Sequence, residues 1–469
     1  MKKIALCVIT IFSLFSCSTS KSEIVTSEKT TSKSVTEKTS VSGNNSSGDD
    51  IILTMPIMVN HNFYFGTRDL VQEFNDADNG YKIVLKDYAD ELNIENISEN
   101  TDWDHYNLDL ALDIMKGEKL DIIPNIFTDP GKFHVLTEKG AFANLNQFIN
   151  SDEILERSEL FDEVLRACEI NGELRYMPIS FSINTLAGSS KYVGTKENWN
   201  FDEMKKLWKS MPKGSTINGH TTEDYVYYAL LRGNISSFID YNNAKCYFDS
   251  EEFINILDFL DSFDDYTGIK YEKNDNGEEF VSEFNIFGLK QYHQMFWRYP
   301  VDDITFVGYP SGDGCGSFFN IANDQVAVSA TSTPEKQKGA WEFIRMLVSY
   351  DCQYNNGFSG TLGADSEFAL PINKKAFEDM SENQYSHEDE KIIDEFTGQE
   401  ISGGYLTKEE YQKLVDFIPT IKKINIDVES DIFEIINEEI FSLFSKEKSS
   451  KEVASNIQRR VNLLVNEKI

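Results

Sequence analysis

From residue 51 onward the chain alternates short apolar runs with amphipathic stretches, and that alternation sets the expected elements. Residues 51–59 read as a strand, and 67–75 as a helix with Thr67 at its N-cap. Residues 81–88 form a second strand, in which Tyr81, Ile83 and Leu85 share one face. A helix over 103–116 follows, then a short strand over 120–123 that Pro124 stops. Strand, helix, strand, helix, strand is the order that builds a parallel sheet with right-handed crossovers. Ligands of such sheets sit beyond the carboxyl ends of the strands. Two loops rich in aromatic and polar residues occupy those ends, 60–66 and 125–130. The second half carries three helical stripes: Ala340, Phe343, Ile344, Leu347 and Val348; Ile432, Ile435, Ile436, Ile440 and Leu443; and Val453, Ile457, Val461 and Leu464. All three read as core-facing, and the class is α/β.

The first fifty residues have a different pattern. Lys2 and Lys3 precede an apolar run over 4–15, which is shorter than the ~20 residues of a bilayer-spanning helix and reads as a secretory signal. The run ends in Leu14-Phe15-Ser16-Cys17, which resembles the bacterial lipobox, and that resemblance implies that Cys17 becomes the lipidated first residue. In 18–50, 16 of 33 residues are Ser or Thr, too few apolar groups to offset the entropy of ordering, so the segment is expected to be a disordered tether. The expected division is a signal peptide at 1–16 and a lipidated, tethered stretch at 17–50.

At 469 residues the chain exceeds one ordinary core, so two lobes are expected. Lys and Arg number 44 against 78 Asp and Glu, a net charge of −34, which excludes a nucleic-acid partner and a polybasic mode of membrane attachment. Aromatic residues reach 13%, a surplus whose use composition alone leaves open. Cys168, Cys246, Cys315 and Cys352 form no Cys-x-x-Cys pair and are read as free thiols. The histidines make no metal-binding pair, and Gly357-Phe358-Ser359-Gly360 is not a nucleophile elbow. No phosphate-binding loop is present. Residues 272–283 imitate calcium-loop spacing, but Glu272 and Glu279 depart from it, and the segment reads as a solvated acidic loop. No metal and no cofactor is expected.

The stretch Asp303-Ile304-Thr305-Phe306-Val307-Gly308-Tyr309-Pro310-Ser311 is followed by Gln325-Val326-Ala327-Val328-Ser329-Ala330. Next come the helix at 338–347 and Leu370-Pro371-Ile372-Asn373-Lys374-Lys375-Ala376-Phe377. With Val71-Gln72-Glu73-Phe74-Asn75, Gly140-Ala141-Phe142-Ala143-Asn144-Leu145 and Met177-Pro178-Ile179, these segments resemble the family 1 extracellular solute-binding lipoproteins of ABC importers. That group contains maltose- and oligosaccharide-binding proteins, and the resemblance runs over 51–469.

The resemblance implies a two-lobe periplasmic-binding-protein-like fold (type II) with a hinge and a ligand cleft. Lobe 1 is expected to hold 51–180 and 311–370, and lobe 2 to hold 181–310 and 371–469. Sugar rings present apolar faces and a hydroxyl rim, so their sites combine flat side chains with hydrogen-bonding groups. The expected ligand contacts are Phe63, Tyr64, Phe127, Thr128 and Asp129 from the strand-end loops, and Phe181 and Asn184 near the hinge. Trp297, Arg298 and Tyr309 are added from lobe 2 and its return crossing, and Gly316 and Ser317 as backbone donors. Trp297 is the principal stacking candidate, by analogy with the maltose-binding relatives. The implied protein is a monomeric, non-enzymatic binder on the outer face of the cell membrane, holding a carbohydrate for ABC permease subunits. The alternatives are a surface glycosidase using two of the many carboxylates and a ligand-sensing subunit of a signalling system.

Overall fold

The computed structural model describes residues 50–57, 67–88, 103–117, 120–129, 131–220, 223–240, 243–263, 278–296, 303–311, 314–321, 325–356, 369–387, 391–393, 400–402, 405–425 and 430–468. Strands β1 (Ile51–Ile57) and β2 (Tyr81–Asp87) pair in parallel, with Ile51 opposite Tyr81 and Ile57 opposite Asp87. Helix α1 (Thr67–Asp76) connects them as the periodicity predicts. Its Asn75 carboxamide donates to the Ile83 carbonyl and accepts from the Ile83 N–H, which fixes the helix on the strand. Helix α2 (Trp103–Lys116) buries Tyr106, Leu110 and Ile114, four residues apart along one face.

The next strand, β3 (Ile122–Pro124), departs from an all-parallel sheet. Its ladder partner is the antiparallel β10 (Gln325–Val328), which also pairs with β4 (Met177–Pro178). Toward β1 it offers the Asp121 N–H, which donates to the Thr54 carbonyl, while the Asp121 carboxylate accepts from the Thr54 N–H. The partner strand arrives from 200 residues downstream, and local periodicity carries no trace of it.

One residue beyond β4 the chain enters β5 (Ser180–Ser189), the central strand of a larger sheet. The other strands are β6 (Thr216–Ile217), β7 (Glu279–Ile286), β8 (Ile304–Phe306), β9 (Phe318–Asn320), β11 (Leu370–Pro371) and β12 (Lys423–Asn425). The order is β12–β9–β5–β7–β6, and β8 and β11 also pair with β5. β5 therefore receives strands from four separate stretches of chain.

Two apolar cores flank this sheet. The first gathers residues of β1–β4 with Phe181, Ile183, Phe284, Ile286 and Phe319. Helix α7 (Pro334–Leu347) joins it, capped by Thr333 with Pro334 in its first turn. The second core collects helices α4 (Phe201–Trp208), α5 (Glu223–Leu230) and α6 (Glu251–Leu260) with Leu186, Val281 and Phe318. Helices α10 (Ser430–Phe444) and α11 (Ser450–Lys468) complete it, with Ile432, Ile436, Ile440, Val453, Ile457 and Val461 fully covered. The intervening helices α8 (Lys374–Tyr385) and α9 (Lys408–Phe417) pack instead into the first core through Phe377, Met380 and Leu414. The stretch from 371 onward thus contributes helices to both cores.

The junction of α10 and α11 is held by Glu439, which is 6% exposed. It accepts from Lys448 Nζ at 2.6 Å, Asn456 Nδ2 at 3.0 Å and Arg460 Nη1 at 3.1 Å. Burial alone would push this carboxyl up, but these donors outweigh it and hold it below the usual glutamate range. Glu439→Ala is expected to cost about 2–4 kcal/mol, seen as a lower urea midpoint with an unchanged slope. Among the described residues the four cysteines, Cys168, Cys246, Cys315 and Cys352, are free thiols, and burial pushes Cys168 and Cys352 up to about 12.

Candidate functional site: a polar sheet face between two cores

Side chains alternate along β5. Phe181, Ile183 and Ala187 enter the first core, so Ser182, Asn184 and Leu186 point to the opposite face. Residues opposite each other in neighbouring strands share a face, and the register then assembles rows. Asn184 lies opposite Asn285 of β7 on one side and Phe318 of β9 on the other. Ser182 lies opposite Asn320, which lies opposite Asn425 of β12. Leu186 lies opposite Glu283. Leu186 and Phe318 reach the second core, so the face is apolar at that end. The remainder carries Ser182, Asn184, Glu283, Asn285, Asn320, Lys423 and Asn425, all but the serine half-buried. A sheet wall shared by two cores thus has one stretch that neither core covers with hydrocarbon.

The second core touches this stretch. Ser236, in the helical turn Arg232–Phe238, donates to Asn425 Oδ1 at 3.3 Å. The Tyr309 hydroxyl donates to Glu283 Oε1 at 2.8 Å, and burial with the neighbouring carboxylate pushes this phenol well above its usual range. Two oxygens differ from the rest. Asn184 Oδ1 and Asn285 Oδ1 are both buried, and neither has a hydrogen-bond partner. A buried carboxamide oxygen without a donor costs about 1–3 kcal/mol, recovered when a donor reaches it.

The loop after β3 lies at the crossing between the two sheets. The Asn125 N–H donates to the Gln325 carbonyl at 2.9 Å, and Gln325 lies opposite Pro178, two residues before β5 begins. Helix α2 braces the loop from behind. Asn107 donates to Thr128 Oγ1 at 2.8 Å and accepts from the Thr128 N–H, and Tyr106 Oη donates to the Ile126 carbonyl. Asp129 accepts from the Gly131 N–H and lies 4.0 Å from Lys132 Nζ. Phe127 is 4% exposed, within the first core.

The other sequence-predicted positions fall as follows. Phe63, Tyr64, Trp297, Arg298 and Cys17 lie outside the described residues, as does most of the calcium-like segment. Of that segment, Glu279 and Glu283 stand in β7 and bond protein groups, and among the described residues no cluster suits a metal. Asn184 is on the polar face. Phe181 packs its ring against Phe161 and Phe319 at centroid distances of 5.3 and 5.5 Å, so its faces are covered in this structure. Tyr309 is fully buried and reaches the polar face through its hydroxyl. The Gly316 carbonyl accepts from the Tyr309 N–H at 2.7 Å, and Ser317 Oγ lies 2.8 Å from Thr185 Oγ1. Asn184, Tyr309, Gly316 and Ser317 are thus brought together around β5, β7 and β9. Thr128 and Asp129 are held instead by α2 and by the start of helix α3 (Gly131–Glu138). Sequence reasoning missed Ser182, Glu283, Asn285, Asn320 and Asn425. The signal for two of them was the alternation Glu283-Phe284-Asn285-Ile286.

No protein-family model and no curated protein matches the chain. Solved structures do. An extracellular solute-binding protein family 1 from Alicyclobacillus acidocaldarius superposes with a TM-score of 0.52 at 12% identity, covering 90% of this chain and 100% of its own. A periplasmic oligogalacturonide binding protein from Yersinia enterocolitica gives 0.53 at 14% identity, covering 89% and 100%. The sugar-binding protein MalE from Xanthomonas citri gives 0.50 at 12% identity, covering 89% and 98%. The fold is that of a two-lobe solute-binding protein. In this two-lobe binding fold the polar face of the large sheet is the wall that both cores share, and β5 is a strand by which the chain passes between them. Among the described residues no helix is long and apolar enough to cross a membrane.

Proposed function

We propose that this chain is a lipid-anchored extracellular binding protein that captures a carbohydrate, an oligosaccharide, and delivers it to the permease of an ABC importer. The observation that carries the reading is the pair of unpartnered, buried carboxamide oxygens, Asn184 Oδ1 and Asn285 Oδ1, side by side on the polar wall. Sugar hydroxyls are the donors such acceptors await, and Ser182, Asn320 and Asn425 extend the same chemistry along the face. The fold supports it, since the Yersinia protein is named for an oligogalacturonide and the Xanthomonas protein for sugar binding. Lobe closure on ligand would be a hinge-type population shift.

In this reading Trp297 and the loop aromatics Phe63 and Tyr64 stack on the sugar, Arg298, Thr128 and Asp129 add polar contacts, and Phe127 and Phe181 support them from the core. Cys17 carries the lipid, residues 18–50 are the tether, and the protein acts as a monomer without catalysis. Titrating the protein with oligosaccharides should raise its melting temperature and shift its tryptophan fluorescence. A hundredfold excess over Kd stabilises by about 2.7 kcal/mol. A response to peptides or polyamines and to no sugar would move the ligand class. Unchanged affinity in Trp297→Ala would remove the principal stacking contact.

A further inference from the structure

One aromatic side chain beside the polar wall belongs to neither core. Phe287 directly follows β7, and the alternation that sends Phe284 and Ile286 into the first core sets it on the face of Asn285. Phe284 and Ile286 are 1% and 0% exposed, whereas Phe287 is 41% exposed. We infer that Phe287 is the flat floor of a single-pyranose subsite, whose hydroxyl edge is read by Asn184 and Asn285. The inference rests on the carbohydrate reading above and deepens it, adding a stacking contact from the end of a strand.

The register fixes the spacing. Ile286 lies opposite Ile183, so one further step of the antiparallel ladder sets Phe287 opposite Ser182. It is therefore two residues, about 6.8 Å, from Asn285 along the strand. It is also diagonal to Asn184, and diagonal cross-strand neighbours about 7–8 Å apart stay within reach of an aromatic side chain. The backbone is held there. The Phe287 N–H donates to Gln291 Oε1 at 3.2 Å, and Gly288 then opens the helix Leu289–Met295. Tyr247 and Phe441 are also exposed, but they stand beside the strand Lys245–Cys246 and on α10, outside the large sheet.

A pyranose has C–H faces and a rim of hydroxyls, and holding both at once takes an apolar plane beside polar groups. Phe287 and the asparagine pair supply that combination on one sheet face. The phenyl ring has no polar atom to desolvate, so covering it with sugar C–H groups is favourable. At the rim, Asn184 Oδ1 and Asn285 Oδ1 are buried without a partner. A carboxamide both accepts and donates, as a hydroxyl does, so the two side chains suit neighbouring hydroxyls of the ring that lies on Phe287.

The test is calorimetric titration of the full chain with maltotriose, cellotriose, mannotriose and galactotriose, followed by variants measured on the tightest of the four. Phe287→Ala should weaken binding about tenfold, while Phe287→Tyr, which keeps the ring, should stay within about twofold of wild type. Phe287→Leu keeps apolar area without a flat face and should lose about fivefold. All three should keep the wild-type melting temperature, because the ring packs in neither core. Asn285→Ala should also weaken binding, and the double variant should lose less than the product of the single losses, by about threefold or more, because one sugar residue touches both side chains. If Phe287→Ala does not fold, the comparison of Phe287→Tyr with Phe287→Leu carries the test, and Asn184→Ala replaces an unfolded Asn285→Ala. Wild-type affinity in Phe287→Ala or Phe287→Leu overturns the inference and leaves the carbohydrate reading standing. Losses that simply multiply in the double variant overturn the single-pyranose assignment. Binding of none of the four sugars overturns the carbohydrate reading itself.

Discussion

Gly316→Ala is expected to destabilise the protein by about 3 kcal/mol or more, a loss readable as a drop in the urea midpoint. A Cβ built on Gly316 would lie 1.9 Å from the Tyr309 carbonyl oxygen and 2.8 Å from its nitrogen, both backbone atoms that cannot swing aside. The contact is tight from the other side as well. A Cβ on Gly308, whose φ is +74°, would lie 2.8 Å from the Gly316 carbonyl carbon. The two segments are drawn together by the Tyr309 N–H donating to the Gly316 carbonyl at 2.7 Å. Separating them moves the buried Tyr309 ring and its hydroxyl bond to Glu283, so ligand affinity should fall with stability. Gly172→Ala is the control: its φ is +79° but no atom lies within 4 Å of the added Cβ, so it should cost only about 1 kcal/mol. Equal effects at the two sites would mean that the close approach is not what requires glycine at 316.

Asp152→Ala is expected to cost about 3–5 kcal/mol at neutral pH, because it leaves several donors without their acceptor. The Asp152 carboxylate, 2% exposed, accepts from the Ile154 and Leu155 N–H groups at 2.8 and 2.9 Å, from Trp341 Nε1 at 2.6 Å and from Arg345 Nη1 at 3.2 Å. It thereby pins the loop after residue 151 to α7, where Trp341 also stacks on Phe148. Burial would raise this carboxyl, but those donors more than cancel it and hold it below the ordinary aspartate value. A carboxyl lowered on folding contributes stability that is fully present above the unfolded value, about pH 3.9, and is lost as pH falls through the folded value. The gap between wild type and Asp152→Asn should therefore stay constant from pH 7 to about pH 5 and close in more acid solution. Urea midpoints of the two proteins across that range check it. A gap that widened toward acid would contradict the assignment.

Elements whose determinants are local were legible. The helix over 103–116 coincides with Trp103–Lys116, and the stripes through Ala340, Ile432 and Val453 lie on α7, α10 and α11 with their apolar faces covered. Strand boundaries moved by a residue or two, as at β3, where Pro124 enters the ladder opposite Val326. Partners were not legible. That β10 seats between β3 and β4, or that Asn184 meets Asn285, depends on register between segments a hundred or more residues apart. The site followed the same division. Asn184 could be named as a candidate because it follows the recognisable Met177-Pro178-Ile179 crossing, whereas Asn285 sits in a stretch with no familiar motif and becomes a candidate only once the strands are paired. Aromatic content pointed toward sugar stacking, but many of the described rings pack against one another, as Phe181, Phe161 and Phe377 do.

The interleaving of the two cores bears on how this chain acquires its structure. The first core draws on residues from Leu53 to Ile421 and the second on residues from Leu186 to Val465, so no contiguous half owns a complete interior. Contacts of such sequence separation form late and slowly, since each must close a long loop before it is rewarded. A nascent chain leaving the ribosome would hold β1 and β2 without α7, and α4 to α6 without the last two helices. Folding should therefore be a single late event rather than lobe by lobe. A chain truncated before residue 430 should aggregate through the apolar surface of α4 to α6 that α10 and α11 otherwise cover.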